Sequence, residues 1–161
     1  MIYTVHYTSP LGGITLTSDG IALTGLYFDG ETGCPLCDAA HEKDLPVFGE
    51  AMRWLDLYFA GKEPGFMPIL NPTGTAFQQA VWEILRTIPY GATTTYGAIA
   101  KRLEKSTGKR MSAQAVGGAV GRNPISILIP CHRVIGADGS LTGYAGGLDK
   151  KEYLLGLEGT T

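Results

Sequence analysis

The spacing of apolar residues changes period part-way along this 161-residue chain, and that change limits what it can fold into. Up to Phe28 the pattern repeats every second residue. From Phe77 it repeats every third or fourth. In residues 2–8, Tyr3, Val5 and Tyr7 alternate with Thr4 and His6, the pattern of a half-buried strand. Gly12-Gly13 and Asp19-Gly20 are turn signals, with residues 14–17 and 21–28 between and after them. The opening segment therefore predicts a three-stranded meander. His6 falls inside this pattern and reads as a strand residue, not a ligand. Residues 45–60 then place Val47, Phe48, Ala51, Leu55, Tyr58 and Phe59 on a helical stripe that Gly61 ends. A connector with Pro64, Pro68 and Pro72 follows, with room for one short strand. The composition shifts at Asn71-Pro72-Thr73-Gly74, which predicts two domains, residues 1–74 and 75–161.

The second part reads as helices. Thr75 suits an N-cap. Phe77, Ala80, Val81, Ile84, Leu85 and Ile88 then form one face, and Pro89-Tyr90-Gly91 ends it. Thr93-Thr94-Thr95 can cap a helix carrying Tyr96, Ile99, Ala100 and Leu103. A basic loop over residues 105–110 follows. Ser112 can cap a third helix with Ala115, Val116, Ala119 and Val120 on one face, closed by Asn123-Pro124. The last two helices and their turn resemble a helix-turn-helix. Gly117-Gly118 costs such a helix about 1 kcal/mol per glycine relative to alanine, a cost suited to a place where a DNA backbone or another helix comes close. Residues 125–129 are a short apolar run ended by Pro130, read as a strand leading to Cys131. The fold class expected is α/β (α+β). A small N-terminal β-meander plus helix precedes a mostly helical C-terminal domain.

Charge divides the same way. Residues 1–74 carry three Lys/Arg against nine Asp/Glu, a net of −6, and residues 75–161 carry ten against six, a net of +4. Within residues 86–133, eight basic residues face Glu104 alone, a net of +7. Basic charge confined to one segment suits a polyanion partner. No apolar run reaches the length of a membrane span, and the N-terminus lacks a signal-peptide layout, so a cytoplasmic protein is expected. Three cysteines, an odd count, argue against a secreted disulfide framework. Cys34 and Cys37, with His41 following, look like half of a zinc site. A full site takes four ligands and no second close pair exists, so no metal is expected. Cys131, beside His132, is different. An imidazole favours the thiolate, the nucleophilic form of the group.

Several runs together resemble the O6-alkylguanine-DNA alkyltransferases, the methylated-DNA–protein-cysteine methyltransferases. They are Phe77-Gln78-Gln79-Ala80-Val81-Trp82, Ile88-Pro89-Tyr90-Gly91, Ala115-Val116-Gly117-Gly118-Ala119, Asn123-Pro124, Ile129-Pro130-Cys131-His132-Arg133-Val134-Ile135, Gly143-Tyr144-Ala145-Gly146-Gly147-Leu148 and Leu154-Leu155-Gly156-Leu157-Glu158-Gly159. They cover about half the chain tightly, and the N-terminal part is similar only in pattern.

The resemblance implies single-turnover DNA repair. A helix-turn-helix enters the minor groove of duplex DNA, a damaged guanine is flipped into a pocket, and the cysteine keeps the alkyl group. It implies no cofactor, double-stranded DNA as partner, no membrane and a monomer. Cys131 matches the alkyl acceptor, His132 the base that acts through a water, and Glu158 the carboxylate that orients it. Tyr96 matches the tyrosine that assists the departing guanine and rotates the nucleotide, and Asn123 the asparagine that braces the turn near the thiol. Val120, Val134, Tyr144 and Ala145 match residues that line or close the base pocket. Thr95, Arg110, Ser112, Ala113, Gln114 and Arg122 fall where DNA contacts are expected.

Three departures stand out. Gln114 replaces the arginine that many members insert into the base stack. The turn over residues 104–111 is longer than usual and basic. Val120 stands where some members have methionine. Two other readings of the chain differ in class. One is a non-catalytic helix-turn-helix protein that recognises damage or regulates. The other is a cysteine hydrolase using Cys131, His132 and Glu158.

Overall fold

The structure is a computed structural model that describes residues 2–30, 41–42, 44–144 and 146–159. These form two compact units, Met1–Thr73 and Gly74–Thr161. No helix among the described residues is long and apolar enough to cross a membrane.

In the first unit, β1 (Tyr3–Ser9), β2 (Gly12–Ser18) and β3 (Leu23–Phe28) form an antiparallel meander, and β4 (His41–Glu42) adds a parallel edge in the order β3-β2-β1-β4. Val5 pairs with Leu16, and Leu16 with Leu26. The β2–β3 turn is pinned by side chains. Asp19 Oδ1 accepts from the N–H groups of Ile21 and Ala22, each at 2.9 Å, and Ser18 Oγ donates to Ala22 O at 2.6 Å. This is the local chemistry that makes Asp and Ser turn residues. The first helix, α1 (Pro46–Phe59), starts on a proline that needs no helical partner for its nitrogen. It packs Phe48, Ala51, Leu55 and Tyr58 on the sheet, and Tyr7 donates to Asp56 Oδ1 at 2.7 Å. The connector contributes a single parallel bridge, Leu23 with Leu70. Cys34 and Cys37 lie outside the described residues, as does the side chain of His41.

The second unit begins with α2 (Ala76–Leu85). Thr75 and Gln78 close a capping box, in which Gln78 N donates to Thr75 Oγ1 at 3.1 Å and Thr75 N to Gln78 Oε1 at 3.0 Å. A two-residue strand, β5 (Thr94–Thr95), leads straight into α3 (Tyr96–Thr107), which Thr95 caps. Next come α4 (Ala113–Gly121), β6 (Val134–Ile135) and α5 (Leu148–Leu157), with β6 parallel to β5. Both α2 and α3 pack against α4, and Trp82 Nε1 donates to Ala119 O at 2.9 Å in the buried interface.

Two expectations are corrected here. Lys105, Ser106 and Thr107 continue α3 instead of forming the start of a basic loop. Ser106 Oγ and Thr107 Oγ1 donate back to Leu103 O, and the helix ends only at Gly108, with φ 72°. The extra length of the segment thus becomes helix, and the turn shortens. Residues 125–129 are a compact turn, not a strand. Leu128 N donates to Ser126 O, Ile129 N to Ile125 O, and Ile127 has φ 72°. Asn123 imposes this. Its Oδ1 accepts from Ile125 N at 3.0 Å, and its Nδ2 donates to Ile129 O at 2.8 Å. The strand, β6, lies just after the cysteine instead of before it.

Candidate active site

Cys131 opens one turn of 3-10 helix, Cys131–Arg133, between the Asn123-braced turn and β6. Its N–H donates to Ile129 O at 2.8 Å, and the residue is 7% exposed. A thiol here is covered by protein yet can still be reached. His132, the next residue, is fully buried. Its Nε2 lies 2.6 Å from Glu158 Oε2, across the start of the 3-10 turn and the end of α5.

Glu158 is held from several sides. Arg133 Nε donates to its Oε1 at 2.8 Å, Arg133 Nη2 to Oε2 at 3.1 Å, and Gly91 N to Oε1 at 3.1 Å. The guanidinium also donates from Nη1 to Ile88 O at 2.7 Å. A bidentate guanidinium and a backbone N–H keep a carboxylate ionised. An ionised carboxylate can only accept, so the proton between the pair resides on His132 Nε2, and Nδ1 is the basic nitrogen of the ring. Burial pushes the His132 pKa below its usual 6.5; the Glu158 hydrogen bond and charge oppose this, and Arg133 and Lys151 reinforce it. The ring is therefore a neutral base at neutral pH, able to take a thiol proton.

A small cavity of about 110 Å³ joins this sulfur to the helix-turn-helix. Tyr96 of α3, Gly117, Val120 and Gly121 of α4, Asn123, Ser126, Cys131, Gly143 and Tyr144 line it. A neighbouring opening of about 400 Å³ shares Tyr96, Gly117 and Gly143 and adds Ala113, Gln114 and Thr142. Tyr96 OH donates to Thr142 O at 3.1 Å, and the buried Lys151 Nζ donates to the same oxygen at 2.7 Å and to Gly143 O at 3.3 Å. Burial lowers the Lys151 pKa, and attraction to Cys131 opposes that. A larger cavity, about 830 Å³ against α5, includes neither Cys131 nor His132. Its lining holds no group poised like His132, so the chemistry belongs to the smaller space.

The structure thus gathers Cys131, Asn123, Tyr96, Val120 and Tyr144 around one cavity, with His132, the residue after Cys131, paired with Glu158 in the interior. Gln114 and Ala113 are exposed at the mouth. The hydroxyls of Thr95 and Ser112 are used as caps, accepting from Ala98 N at 3.1 Å and Ala115 N at 3.0 Å. Arg110 and Arg122 are exposed. Val134 is fully buried and does not line the cavity, and Ala145 lies outside the described residues.

Three participants escaped the sequence reading: Arg133, Lys151 and the Gly91 amide. Arg133 was counted with the surface charge of residues 86–133, but it is buried against Glu158, so the exposed basic surface is one charge smaller. The signal available was its place beside His132. Among the described residues no cluster of three or more His, Cys, Asp or Glu side chains could hold a metal ion.

A covered cysteine, a neutral histidine base and a clamped carboxylate, set beneath a helix-turn-helix, define a cysteine-nucleophile protein whose reactive atom faces its recognition helix. The model of the 6-O-methylguanine DNA methyltransferase DNA-binding domain matches residues 76–160, and that of the same family's ribonuclease-like domain matches residues 1–69. The chain belongs to this family. It is 46% identical to the methylated-DNA–protein-cysteine methyltransferase of Haemophilus influenzae, over 98% of this chain and 86% of that one. It is 48% identical to the enzyme of the same name from Methanosarcina acetivorans, over 99% of each. Among solved structures it is similar to the Mycobacterium tuberculosis O6-methylguanine methyltransferase, with TM-score 0.87 and 45% identity, covering 98% of this chain and 93% of that one. It is also similar to M. tuberculosis OGT in complex with DNA, with TM-score 0.83 and 44% identity, covering 98% and 91%.

Proposed function

We propose that this chain repairs DNA by moving the alkyl group of O6-alkylguanine in duplex DNA onto Cys131, once per molecule. The observation that carries this reading is the cavity shared by Cys131 and α4, with the neutral His132 behind it. His132 takes the thiol proton, through a water. The thiolate sulfur attacks the alkyl carbon, an S–C bond forms, and the C–O6 bond breaks. Tyr96 assists the departing guanine. Glu158 holds the histidine tautomer, and the electron pair left on O6 is neutralised as the base is protonated. The thioether is stable, so Cys131 is consumed and no cofactor takes part.

Relatives named methylated-DNA–protein-cysteine methyltransferase and a similar structure with bound DNA support this reading. We assign residues 75–161 to DNA binding and transfer, and residues 1–74 to a separate strand-rich domain. Gln114, at the mouth, fills the gap left by the flipped base, and Tyr144 closes over that base. Exposed Arg110 and Arg122 meet phosphates. We also assign the protein to the cytoplasm, a location consistent with a DNA substrate.

The test is mass spectrometry after incubation with duplex containing O6-methylguanine. A gain of one methyl, confined to the peptide with Cys131 and stopping at one per molecule, is expected. Repeated turnover, or demethylation by Cys131→Ser, would refute it.

A further inference from the structure

The only acid among residues 86–133 is Glu104, and its position needs a reason. It sits near the C-terminal end of α3, where the helix dipole disfavours negative charge. It also lies in the segment whose basic residues face a polyanion in the reading above, so its charge opposes binding.

Ion pairing does not supply the reason. Among the described residues, no lysine or arginine forms a salt bridge with Glu104. Its carboxylate is used on the backbone instead, where Oε1 accepts from Met111 N at 2.9 Å, seven residues on. Its own carbonyl accepts from Gly108 N at 2.8 Å, the bond that ends α3. Met111 immediately precedes Ser112, whose hydroxyl caps α4. One residue therefore holds both ends of the turn, the stop of α3 through its carbonyl and the entry to α4 through its side chain.

We propose that Glu104 is a positioning residue for DNA binding, a clamp that fixes how α4 is presented. It acts through the Met111 amide and touches neither substrate nor reacting atoms. This rests on the proposed function only in taking α4 as the DNA-facing helix. The acceptor oxygen matters, and the charge is the cost of having it. A carboxylate accepts more strongly than a neutral group, but a glutamine carbonyl has the same reach.

Two variants separate acceptor from charge. Glu104→Gln keeps an acceptor and removes the charge, and Glu104→Ala removes both. Affinity for unmodified duplex is measured by fluorescence anisotropy at fixed salt. Glu104→Gln is expected to bind as tightly as wild type or up to severalfold more tightly. Glu104→Ala is expected to bind about tenfold more weakly, the effect of losing one charge-assisted hydrogen bond that orders the turn. The two variants thus separate, with no loss in the first and a loss in the second. If both variants bind more tightly, Glu104 is merely a repulsive charge and the proposal fails. If both weaken equally, the glutamine carbonyl does not replace the carboxylate, and the proposal as stated fails. Reaction with free O6-methylguanine base is measured alongside, since it uses the cavity residues Tyr96, Gly117, Val120 and Gly121 but no duplex contact at the turn that Glu104 holds. Both variants should match wild type there, and a parallel loss would place Glu104 in support of the whole unit and overturn the assignment. Binding to undamaged duplex does not depend on alkyl transfer, so a wild type that binds but never becomes methylated would refute the proposed function and leave this inference standing.

Discussion

Burial decides how His132 behaves, and Arg133 reinforces it. A histidine 2.6 Å from a carboxylate usually gains basicity from it. Here two guanidinium nitrogens and a backbone amide already engage that carboxylate, and burial outweighs what attraction remains. The sign of the pH effect follows. The His132 pKa in the folded protein lies below its ordinary value of 6.5, so as pH falls below about 6.5 the unfolded chain takes up a proton that the folded chain refuses. This residue's contribution is thus neutral above that range and becomes destabilising as pH falls through it. Thermal unfolding at pH 7.5 and pH 5.5, on wild type and His132→Gln, checks this. The wild type should lose more stability between the two pH values than the variant, and equal losses would contradict it. At this scale the sequence showed Cys131, His132 and Glu158 as candidates because they sit in specific runs. It did not show the clamp, because charge in a sequence carries no record of burial. Arg133 reads like Arg122, yet one is 8% exposed and the other lies at the surface.

The helices were legible because their apolar spacing matches a buried face, as for Val81 and Leu85 in α2. Where spacing gave out, so did the reading. Residues 125–129 are apolar without a period, and a strand was the natural expectation. The turn that forms depends on Asn123 side-chain bonds and on a positive φ at Ile127, which no apolar count reveals. The last helix, α5, was missed because its inward face includes Lys151, whose ammonium is spent on loop carbonyls. On α4, Gly118 is exposed, and an added Cβ would meet nothing within 4 Å. Packing inside the protein does not call for glycine there; close approach of DNA to α4, as proposed above, would. Gly118→Ala should therefore raise the unfolding free energy by about 1 kcal/mol while weakening duplex affinity. Calorimetry and anisotropy together check it, and unchanged affinity would mean that DNA does not approach that position.

The chain as a whole is acidic in residues 1–74 and basic in residues 75–161, and its described residues form two compact units. The change of period was readable because strands and helices impose different spacings. We expect the two domains to unfold in separable steps. Each unit holds one of the two tryptophans, Trp54 in α1 and Trp82 in α2. In Trp54→Phe, emission reports on the second unit alone, and in Trp82→Phe on the first. Denaturant midpoints that differ between the two variants, each compared with far-UV circular dichroism, would support independent units, and coincident midpoints would count against them. Trp82 offers more than a folding signal. Its indole N–H donates to the Ala119 carbonyl on α4, and indole emission responds to the strength and orientation of that bond. The protein thus carries its own optical gauge of the recognition helix, one that needs no label and can register DNA engagement as it happens.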